Sequence, residues 1–214
     1  MKKIKTLVKG GVGILLFTSC GTPYGISLKN GDLLLVVANN TPLSGAIDRV
    51  TQTPKSTHYS HMGILEKSGK EYWVLHAGPR NGSERIRLEE FLYYEKQSGQ
   101  EAIHVYRLNG EYRRSIPNAI LEAKKWLGKP YNYTYILSDE RLYCSDFVQR
   151  SFARDSIFRL EPMTFVNPKT GKTDLAWQDF YKQQKLEVPE GKLGCNPNGM
   201  AASSKIEYIG RIKK

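Results

Sequence analysis

One cysteine stands at the start of an apolar-periodic segment, in the stretch RLYCSDFVQRSF that covers residues 141–152. The spacing predicts a helix that begins near Cys144, with an inward face formed by Phe147, Val148, Ser151 and Phe152. The dipole and the unpaired N–H groups of a helix N-terminus favour negative charge, which lowers the pKa of a thiol there. The same N–H groups can receive the oxyanion that forms during acyl transfer. Cys144 is therefore a candidate nucleophile.

A cysteine nucleophile needs a general base, and a third polar group usually holds that base in its orientation. The stretch HYSHMGILEKSGKEYWVLHAGP, residues 58–79, predicts a β-hairpin around a Ser68-Gly69 turn. That turn pairs Glu66 with Glu71 and sets His61 directly opposite His76, on the same sheet face. His61 and His76 are therefore candidates for the base and its orienting partner, and spacing alone does not tell which is which.

Other interpretations of these residues stay open at this point. His58 and His104 fit ordinary surface or core histidines better than catalytic ones. His61, His76 and Cys144 could together bind a metal, but no further ligand cluster supports this, so we expect no metal and no cofactor. In an oxidising compartment Cys144 could instead form a disulfide with Cys195.

The first residues have the pattern of an export signal. A basic start, MKKIKTLVKG, precedes the apolar GVGILLFTSC, whose apolar run is too short to cross a bilayer as a helix. FTSC resembles a bacterial lipobox, so we expect residues 1–19 to be a lipoprotein-type signal peptide and Cys20 to be lipidated. A plain signal peptide or a short buried helix are the alternatives. Residues 20–30 then form a tether to the membrane, in the cell envelope.

The net charge bears on the partners of the protein. The full chain carries +11, and loss of residues 1–19 removes four lysines and no acid, which leaves +7. A basic envelope protein can favour anionic lipid or an anionic cell-wall polymer. We expect no nucleic-acid partner, because export argues against one and the sequence has no basic helix, zinc spacing or basic motif with interleaved aromatics.

The elements that must position the candidate residues are readily predicted. We expect strands over GDLLLVV (31–37), EAIHVYRL (101–108) and IEYIGRI (206–212), and a short helix from Ser44. SIPNAILEAKKWLG predicts a helix that Ser115 caps and Gly128 ends, with a buried stripe of Ile116, Ile120, Ala123 and Leu127. Residues 160–200 are expected to be irregular and could form a lid. The length suits one domain, residues 31–214.

Taken together, GDLLLVV, YSHMGI, YWVLHAG, GKPYNYTY and YCSDFVQRSF resemble the permuted papain-like amidases, the YiiX/YaeF-like branch of the NlpC-type cysteine peptidase superfamily. The resemblance runs over about residues 31–155 and resumes near the C-terminus. It implies an α+β, circularly permuted papain-like fold, in which an antiparallel sheet or partial barrel packs against helices.

The resemblance also implies roles for individual residues. The cysteine of the YCS motif corresponds to Cys144 as nucleophile, and the histidine of SHxG corresponds to His61 as base. The third position falls at His76, where many relatives carry Glu. Tyr143, Ser145 and Ser60 are expected to line the substrate site, although Tyr143 equally suits simple packing.

The resemblance implies an envelope-tethered cysteine hydrolase that cleaves amide bonds, with cell-wall peptides or related amides as the first substrate class. A lipid-directed thiol hydrolase or acyltransferase on the same fold is the first alternative. A non-catalytic envelope binding protein is the second, and the retained Cys, His and polar third residue argue against it.

Overall fold

The computed structural model describes residues 24–99 and 102–213. The predicted signal peptide and Cys20 lie outside these residues, as does the start of the predicted tether. The described chain has the expected α+β architecture, in which an antiparallel sheet packs against helices. No helix among the described residues is long and apolar enough to cross a membrane.

The sheet has six strands in the order β10-β5-β1-β2-β3-β4. In chain order these are β1 (Leu33–Val37), β2 (Tyr59–Ser68), β3 (Glu71–Gly78), β4 (Gly82–Arg87), β5 (Ile103–Leu108) and β10 (Ile206–Arg211). All neighbouring pairs are antiparallel. The predicted strands at 31–37, 101–108 and 206–212 are all present with slightly shorter bounds.

The helices are α1 (Pro42–Val50), α2 (Leu88–Gln97), α3 (Ile116–Lys125), α4 (Cys144–Ser151), α5 (Leu175–Gln183) and α6 (Pro197–Ala201). Short strands β6 (Glu161–Pro162) and β9 (Leu193–Gly194) pair together, as do β7 (Val166–Asn167) and β8 (Lys172–Thr173). The region 160–200 was predicted to be irregular but contains the nine-residue helix α5. Asp174 caps the N-terminus of this helix, because its side chain accepts a hydrogen bond from the N–H of Ala176.

Strict alternation of side chains gives the sheet two buried faces. Met62 and Ile64 of β2 pack with Phe147 of α4 on one face, together with the apolar side of α3. Leu65 of β2 packs with Phe91 of α2 on the other. In α3 the buried residues include Ala119 besides the predicted Ile120 and Ala123, whereas the predicted Ile116 and Leu127 are only partly buried.

The hairpin of β2 and β3 differs from the prediction in register. Ser68 pairs with Glu71, so the two-residue turn is Gly69-Lys70 rather than Ser68-Gly69. Gly69 has φ +61°, a left-handed conformation that glycine adopts without a Cβ clash. His61 and His76 are therefore diagonal neighbours and not directly opposed. Because the shift is by two residues, it preserves the faces, and both imidazoles still lie on one side of the sheet.

The C-terminal part of the chain is tied back to β2 by one fully buried side chain, Asn198 of α6. Its Oδ1 accepts a hydrogen bond from the N–H of Tyr59 at 2.7 Å. Its Nδ2 donates to the hydroxyl of Thr51 at 2.8 Å and to the carbonyl of Tyr59 at 3.3 Å. Asn198 thus joins α6 to the start of β2 and to the end of α1.

Candidate active site

Cys144 is the first residue of α4, as the sequence predicts. The first hydrogen bond of the helix runs from the N–H of Phe147 to the carbonyl of Tyr143 at 2.9 Å. The N–H groups of Cys144, Ser145 and Asp146 therefore stand outside the helical hydrogen-bond ladder. The predicted inward residues Phe147, Val148, Ser151 and Phe152 are all buried, and this packing fixes the position of the cysteine.

The surroundings of the thiol act on its pKa in opposite directions. Burial dominates and raises the pKa of Cys144 to about 12, and the charge of Glu95 adds to that rise. The backbone N–H groups of Ser145 and Met62 lower it by hydrogen bonding to the sulfur. The thiol therefore lies beside the backbone of the residue that follows His61. In this environment thiolate formation depends on a neighbouring group that takes the proton.

A β-bulge marks the point where β2 reaches the cysteine. Val36 of β1 pairs with His61, and the next residue, Val37, pairs with Tyr59, so Ser60 is the extra residue. Bulges re-aim side chains and are common beside active sites. Here Ser60 lines the same cavity as Cys144, while the His61 side chain extends toward α2.

The two histidines contact one another directly. Nε2 of His61 lies 3.0 Å from Nδ1 of His76, and the rings are nearly perpendicular. Phe91 of α2 stacks on the His61 ring at 6.0 Å and meets the His76 ring edge at 5.1 Å. Gly63 provides the space on β2, because a Cβ there would lie 3.0 Å from Cβ of His76. The two imidazoles are therefore positioned by their contact with each other and by the Phe91 ring.

Glu84 contacts the far side of His76. It is the direct cross-strand partner of His76 on β4, and its Oε1 lies 3.5 Å from Nε2 of His76. This contact is electrostatic, since Nε2 has no well-formed hydrogen bond. His76 lowers the pKa of Glu84, so the carboxylate is ionised near neutral pH. An ionised carboxylate only accepts, which favours the tautomer of His76 with its proton on Nε2.

Glu95 reaches the histidines from α2, one turn after Phe91. Its Oε1 lies 3.8 Å from Nε2 of His61, and its side chain is 15% exposed. Burial raises the pKa of Glu95 to about 7. Burial also lowers the pKa of His61 to about 3, and the charge of His76 adds to this effect. A protonated His61 therefore needs a negative partner.

Cys144 contributes to the wall of a cavity of about 620 Å³. Its wall includes the predicted lining residues Ser60, Tyr143 and Ser145, and many apolar and aromatic side chains, among them Ile47, Val50, Tyr131, Tyr135, Phe158, Met163, Phe165, Trp177 and Met200. Basic side chains, Arg159 and Lys205, also contribute. Cys144 and Met62 lie on the face of the sheet that packs on α4, whereas the His61 side chain lies with Phe91 on the opposite face. In the described part of the chain no hydrogen bond joins the thiol to His61 or His76, so the structure does not bring the predicted nucleophile and base into direct contact.

Tyr143 and Ser145 fix one wall of the cavity against residue 195. The Tyr143 hydroxyl accepts from the N–H of Cys195 at 3.2 Å, and the Ser145 hydroxyl donates to the carbonyl of Cys195 at 3.0 Å. Tyr143 is almost fully buried, so it has a packing role as well as lining the cavity. Cys144 and Cys195 are both free thiols, and the disulfide alternative is not the state seen here.

Tyr135 is the strained residue of the cavity wall. Its φ of +55° is uncommon for a bulky side chain. Its hydroxyl is buried without a hydrogen bond of normal length. The Tyr131 hydroxyl lies near enough to affect the pKa of Tyr135, yet outside that length.

Sequence reasoning did not single out Glu84 or Glu95. Extending the pairing rule to the next hairpin would have placed Glu84 opposite His76. The spacing between Phe91 and Glu95 is i, i+4, which puts both on one face of a helix. No local motif marks that face as the one that meets the histidines.

Comparisons with known proteins identify the family of this chain. The model of a family described as permuted papain-like amidase enzyme, YaeF/YiiX, C92 family, matches residues 27–210. The chain is 28% identical over 130 residues to the uncharacterized protein YiiX of Escherichia coli (strain K12). That alignment covers 58% of this chain and 57% of YiiX, so it spans just over half of the relative.

The fold is also similar to a solved structure. A crystal structure of yiiX from Escherichia coli O157:H7 superposes with a TM-score of 0.66 at 21% identity, and covers 86% of this chain and 97% of that one. Its title calls that protein a metalloprotein. In the part of this chain that the structure describes, no three or more His, Cys, Asp or Glu side chains are grouped to hold a metal. The facing nitrogens of His61 and His76 lie 3.0 Å apart.

Proposed function

We propose, from the premise that this chain belongs to the permuted papain-like amidase family and is therefore a cysteine hydrolase, that Cys144 is its nucleophile and His61 its general base. His76 is the orienting residue. The observation that carries this proposal is the position of the Cys144 thiol. It lies at the N-terminus of α4 and beside the backbone of Met62, the residue that follows His61 in β2. His61 is in turn bonded to a second histidine.

The hydrogen-bond chain supports a definite direction for the proton. With the proton of His76 on Nε2, facing Glu84, its Nδ1 accepts from Nε2–H of His61. Nδ1 of His61 then has a free lone pair for the thiol proton. Glu84 and His76 thus set the tautomer of the base, as an orienting group does in other nucleophile–base pairs.

The chemical steps follow from these roles. Nδ1 of His61 takes the thiol proton, and the sulfur attacks the amide carbonyl carbon as its π electrons move onto oxygen. The free N–H groups at the start of α4 stabilise that oxyanion. The C–N bond then breaks and the amine leaves with the proton from His61. Water, deprotonated by His61, attacks the thioester and releases the acid and the thiol.

The cavity favours a second candidate function on the same chemistry. Its volume and its aromatic and apolar wall suit an acyl chain better than a hydrated peptide. A lipid-directed thiol hydrolase or acyltransferase would form the same thioester at Cys144. Cell-wall peptides or related amides remain the first substrate class, on family grounds alone.

The cellular setting is part of the proposal. The pattern of residues 1–20 supports a lipid anchor at Cys20 and a location at the cell envelope. The positive charge of the chain supports contact with anionic lipid or an anionic cell-wall polymer. Labelling cells with a radioactive fatty acid, beside a Cys20→Ser variant, tests the anchor.

The central test is the rate of alkylation of Cys144 by iodoacetamide as a function of pH. Mass spectrometry of the Cys144 and Cys195 peptides reports the two thiols separately, so Cys195 is an internal control. We expect an apparent pKa for Cys144 well below the usual value of about 8.5, and a rise in the His61→Ala variant. An unreactive Cys144, or one indifferent to His61, would remove the catalytic assignment. Turnover of p-nitrophenyl esters of increasing acyl length, against muropeptide amides, then separates the two candidate functions.

A further inference from the structure

The chemistry proposed above places a positive charge on His61 whenever Cys144 is a thiolate. Burial and the neighbouring His76 both oppose that charge. His76 is neutral or positive and therefore cannot compensate it. Glu84 is ionised, but it contacts the far nitrogen of His76 rather than His61. The pair of Cys144 and His61 thus needs a carboxylate closer to His61.

Glu95 has the position that this requirement calls for. Its Oε1 lies 3.8 Å from Nε2 of His61, the nitrogen that also contacts His76. This is the one ionic contact of Glu95 within the described part of the chain. Phe91, on the same face of α2, stacks on the His61 ring and holds helix and imidazole in register.

We propose that Glu95 is a positioning residue, whose carboxylate stabilises protonated His61 and so sets the pH range in which the Cys144–His61 pair is active. This inference rests on the proposed roles of Cys144 and His61. Cys144, His61 and His76 supply no negative charge close to His61 other than the thiolate itself. The inference assigns that charge to α2, which carries none of these three residues.

Several charged groups face this pair, and their effects differ in sign. His61 on β2 and His76 on β3 favour an ionised Glu95, because each can carry a proton. Cys144 on α4 opposes it, because two negative charges approach each other. Glu84 on β4 acts through His76, and Arg80 offsets part of its charge. Glu95 lies 3.8 Å from the His61 imidazole, whereas its repulsion of the Cys144 thiolate acts over a longer distance. The stabilisation of protonated His61 by Glu95 is therefore the larger of the two effects.

The test compares the full-length wild-type chain with Glu95→Gln, which removes the charge and keeps the shape, and with Glu95→Asp, which keeps the charge. Glu90→Gln is the matched control, because Glu90 lies on the same helix and is bonded only to the exposed hydroxyl of Tyr94. Two quantities are measured for each protein: the pKa of His61, by NMR of labelled imidazoles, and the rate of Cys144 alkylation by iodoacetamide at pH 8, where Glu95 is ionised.

In Glu95→Gln we expect the pKa of His61 to fall and the alkylation rate at pH 8 to fall about tenfold or more. Glu95→Asp should keep most of the wild-type behaviour, and Glu90→Gln should stay within about twofold of wild type. The inference is overturned if Glu95→Gln leaves the His61 pKa unchanged, if its Cys144 reacts faster, or if Glu90→Gln has the same effect. A wild-type Cys144 that ignores His61→Ala would overturn the proposed function itself, which is a separate result.

Discussion

Gly63 links the packing of the sheet to the geometry of the histidine pair, and Gly63→Ala tests that link. A Cβ at this position would lie 2.8 Å from Cγ1 of Val74, 3.0 Å from Cβ of His76 and 3.2 Å from the carbonyl oxygen of Leu75. The Cβ of His76 and the carbonyl of Leu75 cannot rotate away, so the two strands must separate. Overpacking of this kind costs about 1–3 kcal/mol. The strand gains about 0.5–1 kcal/mol on replacement of glycine by alanine.

We therefore expect Gly63→Ala to lower the free energy of unfolding by about 1–2 kcal/mol. The same separation of strands lengthens the distance of 3.0 Å between the two imidazole nitrogens. A small increase in that distance takes it outside the range of a hydrogen bond. If the hydrogen bond that orients His61 contributes about 1 kcal/mol, its loss corresponds to about a fivefold fall in the rate of Cys144 alkylation.

Urea unfolding followed by circular dichroism measures the first effect, and the alkylation rate in the absence of urea measures the second. Gly110→Ala is the matched control, because a Cβ at Gly110 meets no atom within 4 Å. It should change stability by less than about 0.5 kcal/mol. Wild-type stability in Gly63→Ala, with an unchanged alkylation rate, would refute the argument that Gly63 makes room for His76.

Two further variants test the cavity wall. Asp174 caps α5 and accepts from Arg49 of α1 at 2.9 Å, and this bond lowers its pKa. Its stabilising effect is present above the unfolded pKa of about 4 and is lost as pH falls below that value. Asp174→Ala should cost about 1–2 kcal/mol at pH 7 and flatten the acid loss of stability between pH 5 and 3, which urea unfolding across that range measures. Tyr135→Phe removes an unpartnered hydroxyl, so its melting temperature should stay the same or rise, and a loss above about 1 kcal/mol would contradict this.

Strands β1, β2, β3, β5 and β10 were predicted correctly because alternation and turn residues are local signals, whereas β4 and α2 were not predicted. The sequence also placed Cys144 at the start of a helix, since the apolar spacing after it is regular. The register of β2 and β3 was predicted two residues off because Ser68-Gly69 and Gly69-Lys70 are both acceptable turns. Only parity decides the face of a strand, so the prediction that His61 and His76 share a face is confirmed although they are not directly opposed.

The remaining features depend on tertiary contacts. Helix α5 was missed because its buried residues, Trp177 and Tyr181, pack into a small cluster with Tyr135 and Phe165 that forms only in the folded chain. Its cap Asp174 is also paired with a distant arginine. No sequence signal places Glu95 beside His61, because the packing of α2 on the sheet is set by Phe91 and its neighbours on β2 and β3.

The anchor at Asn198 has a consequence for the order in which the protein matures. Chains are synthesised from the N-terminus, so His61 and His76 are made first, Cys144 later, and Asn198 after all three. The hairpin with its histidines can form early, because its contacts are local. The cavity wall supplied by residues 194–205 can close only after Asn198 has bonded to Thr51 and Tyr59. Until residues 194–205 have packed against this site, the chain holds the reactive groups without an enclosed binding site, so acceptance of a substrate depends on the docking of that segment.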